Sequence, residues 1–212
     1  MHPISIIITL KSAATFGSGD SVPGVVDREI EHDAEGFPFL RGKTLKGLLA
    51  ESAENVVFAL EEQDGTGWKE VKKRLFGTGG RGDKERGMLH IGDAELPAGL
   101  RSEVIQAGWK PEEVLYSLTG IRRQTSINEH GAPDHATLRA MRVLLPGVRL
   151  AAPLSFDRDP ELRDLQLLAA ALLDFRRAGT GRNRGRGWLE ADLSGGDKSL
   201  EGLFMEFAEA IQ

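Results

Sequence analysis

The sequence predicts an α+β fold built on a ferredoxin-like (RRM-like) core, and two observations carry that expectation. Apolar stretches with strand and helix periods come in the order strand, helix, strands, strands, helix, strand, which suits two helices packed on one face of an antiparallel sheet. The 212 residues are 40% hydrophobic and 28% charged, a globular balance with enough length to bury a large core. Neither a solenoid-length repeat nor a linker divides the chain, so residues 1–212 read as one domain.

Taken in order, Ile4, Ile6, Ile7, Ile8 and Leu10 make residues 4–12 a buried first strand. A polar, glycine-containing segment follows to about Gly36. Leu45, Leu48, Leu49, Val56, Val57 and Leu60 recur at spacings of three and four, predicting a helix over 44–60 capped by Thr44. Trp68 to Phe76 reads as a shorter helix closed by Gly77, and GTGGRGDKERG (77–87) as a loop. Met88 to Leu96 alternates like a strand. Helical stretches near 100–107 and 111–118 lead into strands at 119–127 and 136–145. Between those strands, SINEHGAPDHAT holds the Asn, Gly and Pro that turns require, so 119–145 predicts a protruding hairpin. Val148–Phe156 is a further strand, and Leu162, Leu165, Leu168, Ala169, Leu172 and Phe175 outline a second amphipathic helix. A Gly/Arg loop (179–187), the strand Trp188–Leu193 and a closing helix through Leu200, Leu203, Phe204, Phe207, Ala208 and Ile211 complete the chain.

Composition excludes several chemistries. With no cysteine there is no disulfide framework, thiolate metal site or thiol nucleophile. No apolar run approaches the roughly 20 residues of a membrane span. The amino terminus MHPISIIITLKS lacks a basic start and a small-residue cleavage site, so it reads as a strand and not as a signal peptide, and a cytoplasmic location is expected.

A net charge of -5 argues at first against a nucleic-acid partner, but the cations are segregated. Arg41, Lys43 and Lys46 lie between Glu35 and Glu51 with no acid among them. Arg176, Arg177, Arg182, Arg184 and Arg186 lie likewise between Asp174 and Glu190, and Arg139 to Arg149 is also acid-free. A polyanion responds to local potential, so such islands outweigh the total. In GFPFLRGKTLKGLLAES (36–52) a glycine turn opens a helix, whose first amides bind anions beside Lys43, Thr44 and Lys46. The spacing is not that of a Walker A loop. In AGTGRNRGRGWLEADL (178–193), Gly179, Gly181, Gly185 and Gly187 permit positive φ and close backbone approach, and Arg182, Arg184 and Arg186 supply planar donor forks suited to phosphate.

These two segments, in this order and with Leu75-Phe76-Gly77 between them, resemble the RAMP proteins over about Ile4 to Leu193. The length and the stretch GVVDREIEHDAEGFPFLRGKTLKG (24–47) resemble most closely the repeated backbone subunit of the Csm and Cmr complexes of type III CRISPR systems. Arg-Gly-Lys-Thr stands here where many relatives have Pro-Gly-Ser-Ser. The resemblance implies a subunit that stacks with other copies of itself and other RAMP subunits along a guide RNA. It implies contacts to that RNA through Arg41, Lys43, Thr44, Lys46, Arg182, Arg184 and Arg186. It also implies a thumb hairpin, about 119–145, that enters the guide–target duplex and flips a base, with Arg122, Arg123 and Gln124 on its approach strand. Holding the guide by shape and leaving sequence to base pairing is physically natural.

The resemblance further implies a target-RNA nuclease that uses an aspartate ahead of the helix start with a divalent metal, expected to be Mg²⁺. Asp27 occupies the matching position, as catalytic residue and metal ligand, and Asp33 is the second choice. Asp27, Glu29, Glu31, Asp33 and Glu35 alternate, so in an extended stretch all five share one face, and the four besides Asp27 are expected to be surface acids. His32, His130 and His135 leave open a metal-independent guide-processing endonuclease, since histidine serves as general acid or base, but no pair has metal-ligand spacing. A non-catalytic architectural RAMP subunit and a phosphate-binding α+β enzyme are the other readings.

Overall fold

The computed structural model describes residues 4–61, 67–78, 86–125, 129, 138–196 and 198–211. In chain order the elements are β1 (Ile4–Leu10), α1 (Gly42–Glu61), α2 (Trp68–Phe76), β2 (Leu89–Ile91), α3 (Ala98–Gln106) and α4 (Pro111–Leu118). The second half adds β3 (Thr119–Gln124), β4 (Arg139–Leu144), β5 (Arg149–Phe156), α5 (Leu162–Asp174), β6 (Leu189–Ser194) and α6 (Leu200–Ala210).

Four strands form an antiparallel sheet in the order β2-β5-β1-β6. Leaving out the β3–β4 insertion, this is the ferredoxin-like β-α-β-β-α-β arrangement, with the first strand central between the third and the last. The alternation of β1 explains its place. Ile6, Ile8 and Leu10 are buried, and the register aligns them with Ala152 and Leu150 of β5 and with Leu193, Ala191 and Leu189 of β6. That apolar face packs into one core with Leu45, Leu49, Ala53 and Val57 of α1 and Leu168, Ala171 and Leu172 of α5. Each fully buried leucine or isoleucine contributes on the order of 1.5–3 kcal/mol.

β3 and β4 pair as a separate two-stranded antiparallel ribbon, Thr119 opposite Leu144 and Gln124 opposite Arg139. Its base is joined to the body where Leu144 and Ala14 exchange backbone hydrogen bonds. The expected turn SINEHGAPDHAT, with His130 and His135, lies outside the described residues except for Glu129, as does 79–85 of the expected loop.

Two boundaries differ from the sequence expectation for one shared reason. Alternation predicts a strand over 88–96, but β2 stops at Ile91. At the bend, Asp93 leaves the ladder and its Oδ1 accepts the Gly42 N–H at 2.7 Å, so this carboxylate, and not Thr44, caps α1. α1 accordingly begins at Gly42, which packs so closely that a Cβ there would stand 2.2 Å from the Ile91 carbonyl oxygen. Among the described residues no helix is long and apolar enough to cross a membrane.

Candidate nucleic-acid interface

The glycine loop is a pinned structure. Thr180 N–H donates to the Thr15 carbonyl and Gly187 N–H to the Ala13 carbonyl, tying the loop to the segment that leaves β1. Gly179 (φ 89°) and Gly187 (φ 65°) lie in the left-handed region, and a Cβ at Gly187 would stand 1.8 Å from the Ala178 carbonyl oxygen. Only glycine is accommodated at such a point. Between them Arg182–Arg184 forms one 3-10 turn. Asn183 and Arg184 point to solvent. Arg182 Nη2 reaches both carboxylate oxygens of Glu51 at 2.9 Å. Pairs this exposed are worth no more than about 1 kcal/mol, so a phosphate can compete for the arginine.

The segment between β1 and α1 wraps against β4. Asp27 N–H donates to the Ala140 carbonyl at 2.8 Å, and Ala140 N–H returns a bond of 2.6 Å to Asp27 Oδ2. Asp27 itself is exposed. Arg28 pairs in parallel beside Met141, and Arg142 N–H donates to its carbonyl. Glu29 is buried and accepts from Arg142 Nε at 2.7 Å, with the Arg142 guanidinium also 5.1 Å over the Tyr116 ring. Glu31 accepts two bonds from Arg41, 2.6 Å from Nε and 2.9 Å from Nη2. Asp33 closes a turn by accepting the Glu35 and Phe37 N–H groups and is ion-paired to Arg101 at 2.6 Å. The five alternating acids therefore do not form one solvated face. Glu29 is a core ion pair, and Asp33 braces a loop.

Two adjoining cavities result. One, about 420 Å³, lies between the hairpin base and the glycine loop and is lined by Arg28, Gln124, Arg139, Met141, Arg182, Asn183, Arg184 and Arg186. The other, about 300 Å³, lies between the glycine loop and the start of α1, against Thr15, Phe16, Glu31, Leu40, Arg41, Thr44 and Leu48. Gly179, Thr180 and Arg182 border both. Arg28, Arg139 and Arg184 have no acidic partner among the described residues, so the first cavity presents uncompensated positive charge.

The residues singled out from the sequence are thus divided. Arg41 and Thr44 meet Arg182 across the second cavity, and Arg184, Arg186 and Gln124 surround the first. Arg186 is buried and braces the loop on the hairpin, donating to Gln124 Oε1 and to Met141 Sδ. Burial lowers its pKa from the usual arginine range, helped by the neighbouring Arg122 and Arg184 charges. Arg122 shares the ribbon face of Gln124, while Arg123, exposed, takes the opposite face. Lys43 is exposed outside both cavities. Lys46 does not join the other expected RNA contacts at either cavity. It leaves α1 on the side opposite Thr44 and Leu48 and donates to the Leu89 carbonyl at 2.5 Å. Burial lowers the pKa of Lys46, with Asp157 opposing and Arg86 adding to the effect. The anion site expected at the first amides of α1 is also changed, because Asp93 already holds the Gly42 N–H.

Sequence reasoning did not single out Arg28 for this site, and marked Arg139 only as the start of an acid-free stretch. For Arg28 a signal existed: it alternates with the acids, so in an extended segment it faces the other way. Among the described residues no three His, Cys, Asp or Glu side chains gather as metal ligands.

The chain matches the model of the RAMP superfamily over residues 7–190. In fold it is similar to a chain of the type III-B Cmr-beta complex solved by cryo-EM in its apo state. The TM-score is 0.64 at 12% identity, covering 96% of this chain and 99% of that one. It is similar also to a chain of the Cmr-beta complex bound to cognate target RNA, with a TM-score of 0.63, 12% identity and the same coverage of 96% and 99%. No curated protein sequence matches it. With most of its length matched and its sheet in the expected order, this chain belongs to the RAMP superfamily.

Proposed function

We propose that the chain is a guide-RNA-binding backbone subunit of a type III CRISPR interference complex, acting with other copies of itself and other RAMP subunits. In this reading it cuts the bound target RNA at regular intervals by metal-dependent transesterification. The observation that carries it is the groove in which Arg28, Arg139, Arg182 and Arg184 line one cavity, with Asp27 adjoining Arg28 in the chain and bonded to Ala140 beside Arg139. Planar guanidinium groups gathered around a pinned glycine loop suit the sugar–phosphate chain, and such contacts read shape without sequence. One fold neighbour belongs to a complex solved with cognate target RNA bound, which agrees with this reading.

In the cleavage step the ribose 2′-oxygen attacks the adjacent phosphorus, the bond from phosphorus to the 5′-oxygen breaks, and a cyclic phosphate remains. Asp27 is held by its two bonds to Ala140, which leave Oδ1 with no backbone donor among the described residues and able to orient the 2′-hydroxyl. Arg28 and Arg139 favour the negative charge that develops on the phosphate. A magnesium ion that keeps several waters and bridges phosphates needs only one or two protein carboxylates. Asp27 fits that limited role, and a site built of protein ligands alone is absent among the described residues. When bound, such an ion would withdraw charge from the scissile phosphate.

The thin donor set favours one second reading, an architectural subunit with no cleavage. Asp27→Ala in the assembled complex separates the two. Loss of cleavage, by about 100-fold or more, with guide binding intact supports the nuclease. Unchanged cleavage supports the architectural subunit.

A further inference from the structure

The cavity between the glycine loop and the start of α1 differs in chemistry from its basic neighbour. Its floor is apolar, made by Phe16, Leu40 and Leu48, and its rim is polar, made by Thr44, Glu31 and Arg41. At about 300 Å³ it is at the small end of ligand pockets, a size for one flat ring system. We infer that this cavity takes an unstacked nucleobase of the RNA strand whose phosphates lie in the adjoining arginine groove. This inference rests on the RNA-binding reading and assigns the two halves of a nucleotide to the two cavities.

Three features support it. First, the cavities share Gly179, Thr180 and Arg182, so a ligand in one is continuous with a ligand in the other. A polymer that alternates charged backbone with flat, weakly polar side groups matches a cationic, mostly polar groove opening into a half-apolar pocket. An inorganic anion would leave the apolar floor unused. Second, the walls are fixed without ligand, because Thr180 N–H is tied to the Thr15 carbonyl and the Thr15 hydroxyl donates to the Arg142 carbonyl. Third, Glu31 holds the Arg41 guanidinium by two bonds while leaving it mostly exposed at the mouth. A guanidinium plane fixed in this way is a surface on which a base stacks. The same pairing offsets the Glu31 charge, which would otherwise repel the strand.

The test compares two labelled polymers of equal length binding to the full chain by fluorescence anisotropy. One is single-stranded RNA, and the other is an abasic ribose–phosphate strand. Wild type is expected to bind RNA at least about ten-fold tighter than the abasic strand, in line with the usual contribution of a stacked base. Thr44→Trp, on an exposed position of the first turn of α1, fills the pocket. It is expected to bring RNA affinity down towards the abasic value while weakening abasic binding far less. Thr44→Phe repeats the test with a smaller ring, and a circular dichroism spectrum matching wild type serves as the folding control. Equal wild-type affinity for both polymers overturns the pocket and leaves the RNA-binding reading standing, as does equal weakening of both by Thr44→Phe. Binding to neither polymer overturns both.

Discussion

Glu29 and Arg142 meet in the core at 2.7 Å, both nearly inaccessible, where the segment ahead of α1 crosses the hairpin base. A buried pair contributes modestly as a pair, yet removing one partner leaves a buried charge uncompensated. Glu29→Ala is therefore expected to destabilise the chain by about 3–5 kcal/mol in denaturant unfolding, whereas Glu35→Ala, exposed, should change stability by less than about 0.5 kcal/mol. Equal effects would mean that the pair is not what anchors the Asp27 segment. Lys46 gives a prediction in pH. Its folded pKa is lowered by burial, so between that value and the ordinary lysine range the unfolded chain binds the extra proton and stability rises with pH. Unfolding of wild type should gain on Lys46→Met as the solution becomes more alkaline through that window, and a pH-independent difference would refute the assignment. At this scale the sequence was half legible. The period-two row of acids was visible, but only the tertiary partners Arg142, Arg41 and Arg101 decide which acid is buried, which is held at the rim and which braces a turn. A side chain's partner more than a hundred residues away, as Arg142 is for Glu29, leaves no local trace.

Among elements, strands and helices with long apolar periods appear nearly where the sequence places them, because burial of one face dominates their placement. β1, α1, β5, α5 and α6 all begin and end within about three residues of expectation. The exceptions are set by capping. α1 starts two residues before Thr44 because a distant carboxylate, Asp93, takes its first amide, and β2 is short because supplying Asp93 bends the chain. The glycine loop was legible for the opposite reason, since positive φ can be read from glycine spacing alone. Within α1, Leu49 is fully buried in the core, and Leu49→Ala should cost about 2–5 kcal/mol. Gly187→Ala should disrupt the loop specifically, because the added methyl overlaps the Ala178 carbonyl oxygen. RNA affinity is then expected to fall more than ten-fold, about 1.4 kcal/mol by the usual conversion. Gly185→Ala meets no atom within 4 Å and carries only the strain of its positive φ, so it should affect binding less. Reversal of that order would show that the loop shape is not what binds.

Over the whole molecule, the net charge of -5 conceals a divided surface. Acids are consumed in pairing Arg41, Arg101, Arg142 and Arg182, while Arg28, Arg139 and Arg184, around one cavity, have no acidic partner among the described residues. The glycine loop and the start of α1, both expected from the resemblance to contact RNA, meet through Arg41, Thr44 and Arg182, with Lys46 facing β2. The spacing of Arg28 against the acids tells only which face it takes; that it meets Arg139 depends on the ribbon folding back onto the acidic segment, which spacing does not show. The most direct test of the account is the salt dependence of single-stranded RNA binding, for wild type and for Arg184→Ala. The account predicts that affinity falls steeply with salt, by a slope of about -0.7 per phosphate contacted, and that Arg184→Ala weakens binding and lowers the slope by about one contact. Binding that is insensitive to salt, or a slope and affinity untouched by Arg184→Ala, would contradict it.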